Sequence, residues 1–221
     1  MLANGQAAVI RMAIRDLNDP LVDRYEPAVL LGAMRADVWY VPLVGKVIEH
    51  LSFSHFYRRR MPGGFLPFIT RGTRTMARTW FGEAIDAHRA GNHAAAFVRL
   101  GEVSHLIADM SCPVHVHRVI HESDPFEWYV EAHHEELRSL PLPTIEGRSA
   151  EDLIDSMASV TRTFEPDRTN YSIGRMLRRA GLRKSVPRSV IAEQARQLIP
   201  LAAAHTAAML RFFLCSTAKS H

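Results

Sequence analysis

Residues that could bind a metal ion are concentrated in the middle of the chain. The sequence contains 12 histidines, and ten of them lie in the range 50–134. His105 and Asp109 are four residues apart on a predicted helix, so their side chains share one helix face. Further along, His115 and Glu127 add another imidazole and another carboxylate. These are ligand types that zinc accepts, and a hydrolytic site must leave one coordination position open for water.

A plainer interpretation is that His105 and Asp109 form a hydrogen-bonded pair on a half-buried helix while the other histidines lie on the surface. An upstream segment argues against it. Asp37, His50 and His55 stand there among mostly apolar neighbours, where an unpaired buried carboxylate would be unfavourable. A metal ion would compensate that charge, so the wider pattern favours a metal centre.

The elements that must position these residues are predicted to be helices. The segments between prolines and glycines have apolar residues at helical spacing. No stretch alternates apolar and polar residues for long enough to indicate a strand. We expect an all-α, multi-helix bundle that forms a single domain over residues 1–221. Asn92 should cap one helix, and Asp124 with Pro125 should open another. The last helix should run through the bundle centre, with a possible kink at Pro200. The expected helices are 5–17, 26–36, 42–54, 73–90, 92–110, 124–138, 150–162, 172–181 and 187–216.

Composition limits the class of protein. Of the 221 residues, 47% are hydrophobic and 23% charged, which is enough to build a core, and the formal charge of +4 is ordinary. No apolar run approaches the roughly 20 residues of a transmembrane helix, so no membrane span is expected. The first residues lack the pattern of a signal peptide. Cys112 and Cys215 are too few for a disulfide framework and do not decide the redox compartment.

Four sequence blocks, in order, resemble one enzyme superfamily. They are GAMRAD ending at Asp37, HFY beginning at His55, LGEVSHLIADMSCPVH over residues 100–115, and DPFEWYVE over residues 124–131. Together they span about a hundred residues, and TAAMLRFF is similar to the family's closing helix. The chain resembles the zinc-dependent phospholipase C and single-strand-specific nuclease superfamily, which consists of all-helical enzymes with a zinc cluster between helices.

The resemblance implies a set of metal ligands. One zinc ion would be held by Asp37, His55, His105 and Asp109. A second would be held by His115 and Glu127 with His121, for which Asp124 is the alternative, and His117 would lie outside the ligand set. In the family, an N-terminal tryptophan and a nearby histidine bind a third zinc, and this chain has Met1 and Gln6 there. Glutamine is a poor zinc ligand, so a third ion is either absent or held differently, or the true N-terminus is elsewhere.

The resemblance also implies an activity, that of a phosphoric diester hydrolase that uses a zinc-activated water. Asp37 would act as the general base, and Phe56 would flank the substrate or else be a core aromatic. Arg58 directly follows the His55 segment in the chain, so it would contact a substrate phosphate or else belong to a solvated basic turn. The substrate would be a phospholipid or a single-stranded nucleic acid, and no stable protein partner is implied. Members of the family are usually exported, although the leader that would support export is not seen in this sequence.

Two alternatives remain open on the sequence. The first is a non-catalytic or weakly active helical protein whose zinc site is structural, with every coordination position filled by the protein. The second is a di-iron carboxylate bundle, which would use two Glu-x-x-His pairs and a further glutamate from each of two other helices. Its ligands would be Glu102 with His105, Glu131 with His134, and also Glu49 and Glu83.

Overall fold

Helices account for nearly all of the regular structure in the computed structural model, which describes residues 1–36, 38–41, 46–49, 57, 72–119, 124–169, 172–182 and 184–218. The helices in this part of the chain are α1 (Ala3–Leu17), α2 (Pro20–Arg24), α3 (Glu26–Arg35), α4 (Thr73–Arg89), α5 (His93–Asp109), α6 (Pro113–Val116), α7 (Pro125–Arg138), α8 (Ala150–Thr161), α9 (Ser172–Arg179) and α10 (Arg188–Ala218). The predicted all-α class is confirmed.

A short β-hairpin contradicts one of the predicted helices. β1 (Val38–Val41) pairs antiparallel with β2 (Lys46–Glu49), and Val38 lies opposite Glu49. The helix expected over 42–54 is therefore wrong, and so is the expectation that the chain has no strand. The sequences VWYV and KVIE are rich in β-branched and aromatic residues, which favour strands. Two such short runs pair with each other although neither shows a long alternating pattern.

Side-chain caps fix where several helices begin. Asn92 accepts a hydrogen bond from the backbone N–H of Ala95, as predicted for the start of α5. Ser149 caps α8 in the same way through the N–H of Asp152. α7 begins at Pro125 as expected, although the side chain of Asp124 makes no capping bond there. These caps satisfy backbone donors that have no partner inside a helix.

Two helices cross at unusually close range. α3 and α5 meet at Gly32 and Gly101, where a Cβ atom on Gly101 would lie 2.0 Å from the carbonyl oxygen of Val29. Only residues without a side chain allow two backbones to approach this closely. The crossing brings the carbonyl of Ala33 within reach of the C-terminal half of α5, which is buried from Leu100 to Asp109.

The last helix, α10, packs against α1, α4, α5, α7 and α8. It is continuous through Pro200, and its central position agrees with the prediction. By length and composition alone it could cross a membrane, but 72% of its most apolar window is buried inside the structure. Burial of this extent is typical of the central helix of a helical bundle.

Candidate metal centre

The buried half of α5 positions two of the predicted ligands. His105 and Asp109 are one helical turn apart, and Nε2 of His105 lies 3.2 Å from Oδ2 of Asp109. The other ring nitrogen, Nδ1, lies 2.9 Å from the carbonyl oxygen of Ala33 on α3. Because a carbonyl oxygen can only accept, Nδ1 must be the donor, and a neutral ring then has its lone pair on Nε2. That lone pair faces a carboxylate oxygen, an arrangement that suits a proton or a metal ion shared between the two atoms.

A proline-initiated turn adds the third predicted ligand. Pro113 begins α6, which places the ring of His115 beside both carboxylates of the site. Nδ1 of His115 lies 3.9 Å from Oδ2 of Asp109, and Nε2 lies 3.4 Å from Oε1 of Glu127. A neutral imidazole carries a single N–H, so it can donate toward only one of these oxygens. The other ring nitrogen of a neutral His115 has a lone pair, which is the form in which histidine binds a metal ion.

The first turn of α7 contributes Glu127, the fourth predicted ligand. Its side chain is 10% exposed and lies next to the thiol of Cys112, with Sγ 3.8 Å from Oε1. Donor atoms of Cys112, His115 and Glu127 all lie within 4.8 Å of one another. Burial raises the pKa of the Cys112 thiol, and the negative charge of Glu127 raises it further. Cys112 is not among the ligands predicted from the sequence, although it stands three residues before His115.

Met1 also lies at this site. The amino group of Met1 lies 2.7 Å from Oδ1 of Asp109 and 2.9 Å from Oε1 of Glu127. The side chain of Gln6 lies beside His105, with Nε2 3.2 Å from Nδ1. This is a contact and not a hydrogen bond while Nδ1 donates to Ala33, because both nitrogens then carry hydrogen. The resemblance implies that Met1 and Gln6 stand where the family's tryptophan and histidine bind a third zinc ion. In the structure Gln6 contacts the side of the His105 ring away from Asp109.

A carboxylate on α7 holds the beginning of α1 in place. Oε2 of Glu131 accepts hydrogen bonds from the backbone N–H groups of Asn4 and Gly5, at 2.9 and 3.1 Å, and Oε1 accepts one from the side-chain amide of Asn4 at 2.7 Å. A negative charge at a helix N-terminus is favourable because it interacts with the helix dipole and with unpaired N–H groups. Glu131 therefore positions the chain segment that reaches Asp109.

The charges of the site fit a divalent cation. Three carboxyl groups, those of Asp109, Asp124 and Glu127, belong to buried residues, while the amino group of Met1 supplies one positive charge. Buried carboxylates are stable only when they are paired or coordinate a metal. The donor set consists of imidazole and carboxylate groups, which zinc accepts. The residues present therefore fit a zinc ion.

The structure brings together four of the predicted site residues, namely His105, Asp109, His115 and Glu127. The other predicted site residues lie outside the residues that the structure describes. These are Asp37, His55, Phe56, Arg58 and His121. His117 lies away from the cluster, and its Nε2–H donates a hydrogen bond to the carbonyl oxygen of Phe164 at 2.9 Å.

The carboxylates of the di-iron alternative have other partners. Both Glu102 and Glu83 pair with Arg99, at 2.6 and 2.8 Å, and Glu131 binds the start of α1. His134 lies beside Glu135, with Nε2 3.4 Å from Oε1. Glu102, Glu131 and His134 are thus engaged outside a shared site, and the structure does not favour a di-iron centre.

Two solved structures share the fold of this chain. Alpha-toxin of Clostridium perfringens, isolated from avian strain SWCP, has a TM-score of 0.68 and 14% identity, and the match covers 99% of this chain and 63% of that one. Alpha toxin from Clostridium absonum also has a TM-score of 0.68, with 16% identity and coverage of 98% and 66%. The chain thus spans slightly less than two thirds of either solved chain.

Sequence comparison extends this likeness in fold to a family. No curated protein matches the chain significantly. The family model described as zinc dependent phospholipase C, however, matches residues 6–138, which is more than half of the chain. That range contains all four clustered side chains. The chain therefore belongs to the zinc-dependent phospholipase C family.

Proposed function

We propose that the protein is a zinc-dependent phospholipase C-type hydrolase that cleaves the phosphodiester bond of a phospholipid. The observation that carries the proposal is the buried cluster of His105, Asp109, His115 and Glu127, in which imidazole and carboxylate donors from α5, α6 and α7 meet. Membership of the zinc-dependent phospholipase C family supports zinc as the metal and a phospholipid as the substrate. Nothing in the comparisons supports a nucleic-acid substrate.

The ligand assignment follows from the geometry and from the resemblance. His105, Asp109, His115 and Glu127 would hold zinc together with Asp37, His55 and His121, which lie outside the described residues. The Nδ1–H of His105, donated to the Ala33 carbonyl, fixes the orientation of the ring and keeps Nε2 as the ligand atom. Bound zinc would act as a Lewis acid that polarises the phosphoryl group. It would also make a water molecule lose its proton more readily near neutral pH.

Asp37, Arg58 and Phe56 would have further roles in turnover. The carboxylate of Asp37 would take the proton of the attacking water, as a general base. The guanidinium of Arg58 would bind a phosphate oxygen of the substrate, because charge-assisted hydrogen bonds to phosphate are short and strong. Phe56 would flank the substrate. The roles of Arg58 and Phe56 can be tested separately from the metal ligands, since replacing either should reduce turnover without removing zinc. Replacing Asp37 should affect both, because Asp37 is also a proposed zinc ligand.

One observation favours a second candidate function, a structural zinc site. The thiol of Cys112 belongs to the donor group with His115 and Glu127, and cysteine is a common ligand of closed, non-catalytic zinc sites. A closed site would bind zinc tightly and increase stability without turnover. The two functions therefore differ in turnover rather than in metal content.

The test combines metal content with hydrolysis. Protein purified without added metal is analysed for zinc by mass spectrometry, and release of the phosphorylated headgroup from phosphatidylcholine is measured with and without chelator. We expect bound zinc and chelator-sensitive hydrolysis that returns when zinc is restored. Zinc-loaded protein that hydrolyses neither phosphatidylcholine nor bis-p-nitrophenyl phosphate would indicate the structural site instead.

A pair of matched variants connects the activity to the cluster. Asp109→Asn keeps the size of the side chain but removes its charge. We expect this variant to lose zinc and its turnover to fall by at least about 100-fold. Asp86→Asn makes the same change at an exposed position on α4 and should leave zinc and turnover unchanged. If Asp109→Asn retains full zinc and activity, the aspartate is not a ligand.

A further inference from the structure

The positive charge of the protein is concentrated in one segment that supplies none of the clustered metal-binding side chains. Between Arg168 and Ala192 the chain carries seven basic residues and no acidic residue. The basic residues are Arg168, Arg175, Arg178, Arg179, Arg183, Lys184 and Arg188. The formal net charge of the whole chain is only +4, so the rest of the chain has a net negative charge. A segment this basic gives one side of the protein a local positive potential.

Apolar side chains are exposed among these cations. Met176 is 61% exposed, Leu182 is 73% exposed and Val190 is 43% exposed. Trp128 on α7 is 58% exposed and lines a cavity shared with Arg178. These four are among the six large hydrophobic side chains that are exposed in the described part of the chain. Exposed apolar groups gathered in one place indicate an interaction surface.

The basic-apolar surface consists of described residues from α7, α9 and the segment that leads into α10. We define it as Trp128, Met176, Arg178, Arg179, Leu182, Lys184, Arg188 and Val190. Arg178, Arg179, Lys184 and Arg188 are all exposed. α9 has the sequence SIGRMLRR, so cationic and apolar side chains are interspersed within one short helix.

A cavity of about 450 Å³ opens within this surface, between α7 and the basic segment. Trp128, Tyr129, Arg178 and Arg188 are among the residues that line it. The one acidic residue in the lining is Asp167, whose Oδ1 accepts from the backbone N–H of Thr169 and whose Oδ2 accepts from that of Val186, at 2.7 and 3.0 Å. Since these bonds hold its carboxylate within the protein, the two guanidinium groups remain the groups that suit a phosphate.

We infer that the basic-apolar surface docks onto membranes that contain anionic phospholipids. Lysine and arginine near an anionic bilayer are attracted to its surface, while tryptophan, leucine and methionine insert at the boundary between headgroups and acyl chains. Charge complementarity alone would also suit other polyanions. The exposed Met176, Leu182 and Trp128 favour a lipid surface, because in a complex with a purely polar polyanion these side chains would stay in water.

The inference goes beyond the proposed function, since it concerns residues outside the metal centre and holds whether or not the protein hydrolyses the lipid. Its test is sedimentation of the full chain with large unilamellar vesicles. Vesicles of phosphatidylcholine alone are compared with vesicles that contain 30% phosphatidylglycerol, on the order of one anionic lipid in three. We expect much tighter binding to the anionic vesicles, and weaker binding as salt is increased.

Two variants separate the roles of charge and apolar contact. Replacing Arg178, Arg179 and Lys184 by glutamine should weaken binding to anionic vesicles by roughly 100-fold at low salt, given about fivefold for each of the three cations. A Met176→Ser and Leu182→Ser double variant should weaken binding at every salt concentration while leaving the salt dependence unchanged.

A matched control removes three cations elsewhere. Arg24, Arg78 and Arg211 are exposed on α2, α4 and α10, and their replacement by glutamine changes the net charge by the same amount. This control should bind vesicles within about twofold of the parent protein. All variants should hydrolyse bis-p-nitrophenyl phosphate at the parent rate if the parent is active, so a defect of the metal centre can be distinguished from a defect of the surface.

Two outcomes would overturn the inference. One is equal loss of vesicle binding in the control and in the Arg178, Arg179 and Lys184 variant, which would indicate net charge rather than this surface. The other is binding to heparin or single-stranded DNA as tight as to anionic vesicles and insensitive to the change at Met176 and Leu182. The surface would then be a general polyanion site.

Discussion

Replacing Gly101 by alanine tests whether the crossing of α3 and α5 supports the metal centre. A Cβ atom at this position would lie 2.0 Å from the carbonyl oxygen of Val29 and 2.9 Å from the backbone nitrogen of Ala33, and Cβ atoms essentially never approach other heavy atoms within 3.0 Å. Because the obstructing atoms belong to the backbone, no side chain can rotate out of the way. α3 must therefore move away from α5 by about 1 Å.

The size of the effect follows from two opposing terms. Overpacking of a close contact costs about 1–3 kcal/mol, and the upper part of that range applies where backbone must shift. Alanine recovers up to about 1 kcal/mol because it favours the helix more than glycine does. We expect Gly101→Ala to lower the free energy of unfolding by about 2 kcal/mol, and the melting temperature by roughly 4–8 °C.

The same movement should affect the metal centre. The carbonyl of Ala33 that holds His105 belongs to α3, so displacing this helix lengthens that hydrogen bond. Losing a partner that orients a metal-binding histidine typically weakens metal affinity by 10- to 100-fold. We therefore expect Gly101→Ala to bind zinc at least tenfold more weakly than the parent protein, as measured by competition with a chromogenic chelator.

Gly82 provides the matched control. It lies inside α4, and a Cβ atom there would meet nothing within 4 Å. Gly82→Ala should raise the free energy of unfolding by about 0.5–1 kcal/mol and leave zinc affinity unchanged. Thermal unfolding followed by circular dichroism compares the two variants. Gly101→Ala melting at or above the parent temperature would refute the reasoning about the crossing.

Other features of the structure lead to further expectations. Glu131→Gln should lower the free energy of unfolding in urea by about 1 kcal/mol, because it removes the charge at the start of α1, whereas Glu135→Gln at an exposed position should change it by less than about half as much. In native protein only the thiol of Cys215 should react with Ellman's reagent, because Cys112 is buried and should react only after denaturation. Two reactive thiols in native protein would contradict this burial. Burial raises the pKa of Tyr57 from its usual 10.0 to about 12, so the stabilisation from its neutral hydroxyl is complete below pH 10 and is lost as the pH rises toward 12. Tyr57→Phe removes the hydrogen bond that the Tyr57 hydroxyl donates to Oδ1 of Asp155 at 2.8 Å, so it should be about 1 kcal/mol less stable than the parent at pH 8. A gap that does not narrow above pH 10 in denaturation curves would count against the assignment.

Local sequence signals predict the helices well where they are strong. α5 was expected over 92–110 and extends from His93 to Asp109, because Asn92 supplies a cap and Pro113 prevents continuation. The hairpin at Val38–Val41 and Lys46–Glu49 was missed. Strands of four residues are too short to show periodicity, and their pairing depends on contacts with each other rather than on either sequence alone.

The candidate site, like the fold, is predictable from the sequence only where the signal is local. Helix geometry was sufficient to place His105 next to Asp109, because residues four apart share one face. The contact of Glu131 with Asn4 could not be read from the sequence, since the two residues are 127 positions apart. A Glu-x-x-His pattern instead suggested a metal ligand at Glu131. Which partner a carboxylate finds depends on the tertiary packing, and here α1 packs along α7.

The contact between residue 1 and the cluster also has a consequence for the order of folding. His105, Asp109, His115 and Glu127 come from one short stretch of chain, so bringing them together closes only small loops. The amino group of Met1 meets Asp109 across 108 positions, and that larger loop makes its closure slower. The donor set can therefore assemble before α1 docks, and a cation captured at that stage would be enclosed when α1 closes over the site.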